Sequence, residues 1–302
     1  MDLTRIGIPF TLLGAGIAVP GRSNAGGGRV RPAVVAGKFY PESPSVLRLA
    51  IEQFLQDAVP PLAAEPRAIV VPHAGYIYSG QICADGYNQV RGRQYETVVI
   101  LGTNHTAPGL RTVALYSGAG FKTPLGVAPA DEAGIAALLA ASPDCTADDG
   151  PHGREHSVEV QVPFIQVLFP EAKILPAIVG QVDPALCERF GVALTKAMQG
   201  RRVLVVASSD LSHYPAAADA EQVDRLTLDA IPSLDPSRLQ AVIRAQTARH
   251  IPGLDTSACG EAPIMAAMAA AKAMGAAGGR VVSYANSGDL PIGDRERVVG
   301  YG

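Results

Sequence analysis

The sequence predicts an α/β protein in which helices cover both faces of a largely parallel central sheet, a three-layer α/β/α arrangement. Three observations predict it: short runs that are apolar throughout recur along the chain, amphipathic segments separate them, and several runs stop abruptly at glycine, histidine or serine. Strands buried on both faces read as continuous apolar runs, whereas half-exposed strands alternate. Composition agrees. With 48% hydrophobic and 18% charged residues the chain is too apolar for disorder. Trp is absent and aromatics are only 5%, so Val, Leu, Ile and Ala must fill the core.

The elements follow in order from Arg31. Ser43 to Ala58 reads as a helix, with Leu47, Ile51 and Leu55 spaced by four. Ala68 to Val71 and Thr97 to Leu101 read as buried strands, and Thr112 to Tyr116 as a third. Asp131 to Ala141 is helical, opened by two acids that suit a helix N-terminus. His156 to Phe169 reads as helix, with Pro163 at a kink or in the first turn. Lys173 to Val179 is a strand. Asp183 to Met198 is a helix with Asp183 as N-cap and Pro184 at its first position. Arg202 to Ala207 is the clearest strand. Helices follow over Ala217 to Ile231, Pro236 to Gln246 and Cys259 to Met274, then closing strands over Val281 to Ala285 and Arg297 to Val299. No repeat or Ser/Pro-rich linker divides the chain, so residues 31–302 are expected to form a single domain behind an N-terminal extension, 1–30.

Bulk properties exclude some functions. A formal charge of -3 over 302 residues gives no footprint for a polyanion, so nucleic acid is not an expected partner. Four cysteines lie far apart with no C-x-x-C pair, which favours reduced thiols in a cytoplasmic protein over a disulfide scaffold. The apolar run Ile6 to Val19 is short for a membrane span, which needs about 20 residues. Arg5 before it and Ser23-Asn24-Ala25 after it resemble a secretory signal, the lesser alternative, because Asp2, Pro9, Gly14 and Gly16 interrupt the pattern. Gly14-Ala15-Gly16 is no dinucleotide motif, since Pro20 and Gly21 leave no room for the helix that must follow.

Three apolar strands run into reactive residues. Ala68–Val71 leads to Pro72-His73-Ala74-Gly75-Tyr76, Val98–Leu101 to Gly102-Thr103-Asn104-His105, and Val203–Val206 to Ala207-Ser208-Ser209-Asp210-Leu211-Ser212-His213. Open parallel sheets carry their sites beyond the carboxyl ends of the strands. One histidine after a strand is ordinarily a turn residue. Here half of the six histidines fall where such a protein keeps its chemistry. Cys259 heads a helical run, a position that lowers a thiol pKa and favours the metal-binding thiolate. Spacing does not separate that reading from a small buried packing residue. In His152-Gly153-Arg154-Glu155-His156-Ser157-Val158-Glu159, a helix would put His152 and His156 on one face, and His156 and Glu159 on another pairing. That pattern suits a second metal site or a loop with a helix start. Tyr76, Asn104, His156 and Glu159 are placed as pocket lining.

The blocks RPAVVAGKFYP (31–41), VPHAGYIYSG (71–80), LGTNH (101–105), EHSVEVQVPFIQ (155–166), SSDLSHY (208–214), ACGEAPI (258–264) and YANSGD (284–289) resemble, in order, the Memo family, also called AmmeMemoRadiSam system protein B. The family is similar in fold to class III extradiol dioxygenases, whose non-haem iron is held by two His and one Glu. The resemblance implies His73, His105 and Cys259 as metal ligands, His213 as the counterpart of the dioxygenase general base, and Asp210 beside it. No Glu stands at the third ligand position, and Glu261 is two residues away. A thiolate there shifts preference toward copper, zinc or thiolate-ligated iron.

The resemblance therefore implies a mononuclear copper or iron site with a redox role and no settled reaction. It also implies AMMECR-like and radical S-adenosylmethionine proteins as partners. A non-catalytic protein that binds a small molecule or peptide in the same pocket is the alternative. A zinc hydrolase ranks last, since no H-E-x-x-H helix is present.

Overall fold

The computed structural model describes residues 28–63, 65–181 and 183–302. The apolar run at 6–19 and the signal-like residues that follow it lie outside the described residues.

The described residues begin with a short strand, β1 (Val30–Arg31), and a helix, α1 (Pro44–Asp57). β2 (Ala68–Val71), α2 (Tyr76–Asn88) and β3 (Thr97–Thr103) come next. β4 (Val113–Leu115), β5 (Gly120–Thr123), β6 (Gly126–Pro129), α3 (Glu132–Ala141) and β7 (Cys145–Ala147) follow. The second half holds α4 (Val162–Leu168), β8 (Lys173–Val179), α5 (Pro184–Ala197) and β9 (Val203–Ser208). It closes with α6 (Ala217–Ala230), α7 (Pro236–Thr247), α8 (Glu261–Ala273), β10 (Ala285–Asn286) and β11 (Gly300–Tyr301).

Six strands form the central sheet in the order β2-β9-β3-β8-β4-β7. Every pairing is parallel except β4 against β8. Alternate residues of one strand enter different cores. Val98 and Ile100 join the side chains of α1, α2 and α4, whereas Val99 and Leu101 join those of α3, α5, α7 and α8. That division is the three-layer α/β/α architecture the apolar runs predict. Among the described residues no helix is long and apolar enough to cross a membrane.

Most boundaries agree with the sequence reading, and the N-caps act as their chemistry dictates: Asp131 accepts from the Gly134 amide and Asp183 from the Leu186 amide. Four differences have physical causes. First, α2 escapes a propensity reading because Gly80 and Gly86 lie inside it. A Cβ at Gly80 would stand 2.6 Å from the Phe54 ring, and one at Gly86 2.5 Å from Val71 Cγ1, so close packing requires both glycines. Second, helix is expected from His156 but α4 starts at Val162, after a 3-10 turn over Glu159–Gln161. The amides of His156 and Ser157 are already bonded to the Glu155 carboxylate. Pro163 does sit in the first turn. Third, the closing strands are β10 and β11, later than Val281–Ala285 and Arg297–Val299. Val298 instead exchanges hydrogen bonds with Tyr214 and Pro215. Fourth, Cys259 precedes α8 by two residues, with Gly260 as N-cap.

Candidate metal centre

β2, β3 and β9 are mutually parallel neighbours, so their carboxyl ends share one edge of the sheet. The loops that leave this edge carry His73, His105 and the stretch from Asp210 to His213. The loop before α8 brings Cys259 to the same place. Its amide donates to the Asp210 carbonyl at 3.3 Å, and the Gly260 amide donates to Ser209 Oγ at 2.9 Å.

The outcome is a tight cluster. Cys259 Sγ lies 3.3 Å from His73 Nε2, and the His73 and His105 rings are 5.2 Å apart, edge to face. One ligand atom each from His73, His105 and Cys259 falls within 4.8 Å of the others, a grouping that could hold a metal ion. Asp210, His213 and Cys259 meet the same limit.

Hydrogen bonds fix which atoms face inward. Ser208 Oγ has one proton and donates it to the Ser157 carbonyl at 2.7 Å. It then accepts from Gln161 Nε2 at 2.8 Å and from His73 Nδ1 at 3.0 Å. His73 is therefore the Nδ1–H tautomer, and its Nε2 lone pair points at the Cys259 sulfur. At His105, Nδ1 donates to Glu155 Oε1 at 2.9 Å, which leaves Nε2 free for an ion. Holding the second ring nitrogen as a donor in this way is how proteins orient metal-binding histidines.

Glu155 supports more than one ring. Its carboxylate also accepts from the amides of His105, His156 and Ser157. Burial opposes its charge, but the His105 ring and these amides outweigh burial and hold the carboxyl at about 2. Three histidines are kept neutral. Burial lowers His73 and His213, and burial beside the His73 ring lowers His156 to about 4. Asp210 spends Oδ1 on the amides of His73 and Ala74, while Oδ2 lies 3.9 Å from His73 Nε2 and 4.0 Å from His213 Nε2. His213 Nε2 is buried and has no hydrogen-bond partner.

A helix-terminal Cys259 is expected to have a lowered thiol pKa; here the shift is the reverse. Cys259 lies outside α8, and burial and then the Asp210 charge raise its thiol. The same surroundings suit a cation, which would neutralise both the thiolate and Asp210 while displacing the thiol proton. The donor set therefore fits a transition metal: a soft sulfur and the Nε2 atoms of two imidazoles whose Nδ1 atoms are engaged elsewhere.

The other expected residues are distributed differently. His156 joins the cluster, stacked 4.8 Å from His105 and 5.3 Å edge-on from His73. Asn104 folds its own loop by exchanging hydrogen bonds with Ala107. Tyr76 is buried in the α1–α2–α4 core and donates to the Val160 carbonyl. Glu159 faces away: it accepts from Arg31, the Val34 and Val35 amides and Tyr40 Oη, and is wholly buried. His152 is buried apart from the cluster, its Nε2 donating to the Ala114 carbonyl. Sequence reading missed Glu155 and Ser208 as orienting groups. The one available signal for Glu155 was its place between two histidines.

The family model for Memo-like proteins matches residues 31–302. The chain belongs to the Memo family. A MEMO1 family protein of Aquifex aeolicus is 37% identical over 276 residues, covering 90% of this chain and 97% of its own. One from Methanococcoides burtonii is 38% identical over 275 residues, covering 90% and 98%. One from Nitrosopumilus maritimus is 33% identical over 279 residues, with the same coverage, 90% and 98%. Membership thus extends over nearly the whole described chain, and the seven blocks that carry the resemblance fall inside it.

Proposed function

We propose that this Memo-family chain binds one transition-metal ion, copper or iron, through His73 Nε2, His105 Nε2 and Cys259 Sγ, and that the site has a redox role. The observation that carries the reading is the convergence of two imidazole lone pairs, fixed by Ser208 and Glu155, on a thiol 3.3 Å from His73. When bound, such an ion would supply one-electron chemistry or polarise a coordinated group. The chain's own part is to orient the ligands and hold a proton nearby. His213, neutral and unpartnered at Nε2, receives or gives that proton, with Asp210 Oδ2 beside it to steady the charged ring.

The reading extends to a single unit over residues 31–302, from the lack of a dividing linker, to a cytoplasmic location, from the dispersed free cysteines, and to AMMECR-like and radical S-adenosylmethionine partners, as family resemblance implies. Metal content of protein prepared without air tests the site. Cys259→Ser and His105→Ala are expected to lose most of the bound metal, while Cys145→Ser and Cys187→Ser keep it; equal content in all four discards the assignment.

A second reading is a pocket that binds a peptide or small molecule without turnover. Exposed Tyr78 and Tyr214 favour it, with Arg297 stacked 4.1 Å over the Tyr214 ring next to His213. Oxygen consumption over a panel of reductants and phenols separates the two, because bound metal with no turnover supports binding.

A further inference from the structure

Outside the ligand cluster, a buried side-chain network surrounds Arg31. It is 3% exposed, and its guanidinium engages partners more than 120 residues away in sequence. Nε donates to the His152 carbonyl at 2.6 Å, Nη2 to the Glu155 carbonyl at 2.5 Å, and Nη1 to Glu159 Oε2 at 2.6 Å and the Pro32 carbonyl at 3.2 Å. The Phe121 ring lies 4.7 Å beneath it. A planar fork presents donors to these acceptors in fixed, separated directions, whereas an ammonium is a compact point charge on a flexible stem.

Two of these acceptors flank one short turn, residues 152–155, and that turn ends in the carboxylate that holds His105. We propose that Arg31 is a positioning residue for the metal centre: by pinning the His152 and Glu155 carbonyls it sets where the Glu155 carboxylate meets His105 Nδ1. This rests on the metal reading above, and it reaches further, since it assigns a task in the centre to a residue of the N-terminal strand β1. A stability role alone would leave the His105 hydrogen bond intact in any variant that folds.

The decisive test has a readout that needs no metal. In ¹⁵N-labelled, metal-free protein, the carboxylate-bonded Nδ1–H of His105 gives a downfield, slowly exchanging proton resonance. The Nδ1–H of His73, held by Ser208, serves as internal reference. Arg31→Lys is expected to lose the His105 resonance and keep that of His73. Its affinity for Co(II) falls about tenfold to a hundredfold, as outer hydrogen bonds to metal-bound histidines typically require.

If Arg31→Lys does not fold, the double variant Arg31→Met/Glu159→Gln decides. It removes both buried charges together and so leaves neither unpaired, and the same loss is expected in it. A folded variant of either kind that keeps the His105 resonance and wild-type Co(II) affinity overturns the proposal. Wild-type protein that binds no Co(II) refutes the metal reading instead, while the resonance still reports on Arg31.

Discussion

Single residues in this chain are held by groups far away in sequence, and their titration shows it. His152 is buried, donates Nε2 to the Ala114 carbonyl and leaves Nδ1 without a partner. Burial lowers its pKa to about 4. The sign follows from linkage: below about 6.5 the unfolded chain takes up a proton that the folded chain refuses until about 4. Stability from this residue is therefore present at neutral pH and lost as pH falls through that window, by an amount on the order of 3 kcal/mol. Thermal melts of His152→Gln, which keeps a donor for Ala114, should show a shallower decline between pH 6.5 and 4 than the wild type. An unchanged slope removes His152 from the account. Glu155 has the same sign in a more acidic window. Its carboxyl is held at about 2 against an ordinary 4.5, so its contribution is complete above about 4.5 and is lost as pH falls from there through about 2.

At the scale of elements, the centre depends on how closely loops approach the strand ends. A Cβ at Gly260 would lie 2.5 Å from Ser209 Cβ and 2.7 Å from Thr103 Oγ1, so the loop carrying Cys259 can dock on β3 and β9 only without a side chain there. Gly260→Ala should cost about 1–3 kcal/mol by overpacking and also reduce bound metal, because the sulfur moves with the loop. Asp183→Ala, which removes the N-cap of α5, should cost about 1 kcal/mol and leave metal content unchanged. Calorimetry with metal analysis on both variants checks the contrast, and metal loss in Asp183→Ala would show that the centre merely tracks stability.

This scale also shows what the sequence made legible. β2, β3 and β9 are visible because continuous apolar runs and abrupt polar stops are local signals, and those stops are where the reactive residues stand. α2 was hidden because its glycines answer to Phe54 and Val71, not to helix propensity. The orienting roles of Glu155 and Ser208 were hidden because each partner lies 50 or more residues away. Arg31 and Glu159 pair across 128 residues, a contact no spacing rule could reveal.

Over the whole molecule, the sheet separates two apolar cores and leaves its chemistry at one edge, where β2, β3 and β9 end together. The N-terminal strap from Arg31 to Tyr40 binds Glu159, and Arg31 also reaches the Glu155 carbonyl, so the start of the described chain is tied to the turn that carries Glu155. What unites these layers is the claim that two imidazoles and one thiol share an ion. X-ray absorption of anaerobically loaded protein measures that claim directly. One sulfur and two imidazole nitrogens are expected around a single metal, with the sulfur lost in Cys259→Ser. A coordination shell with no sulfur in the wild-type protein would contradict it.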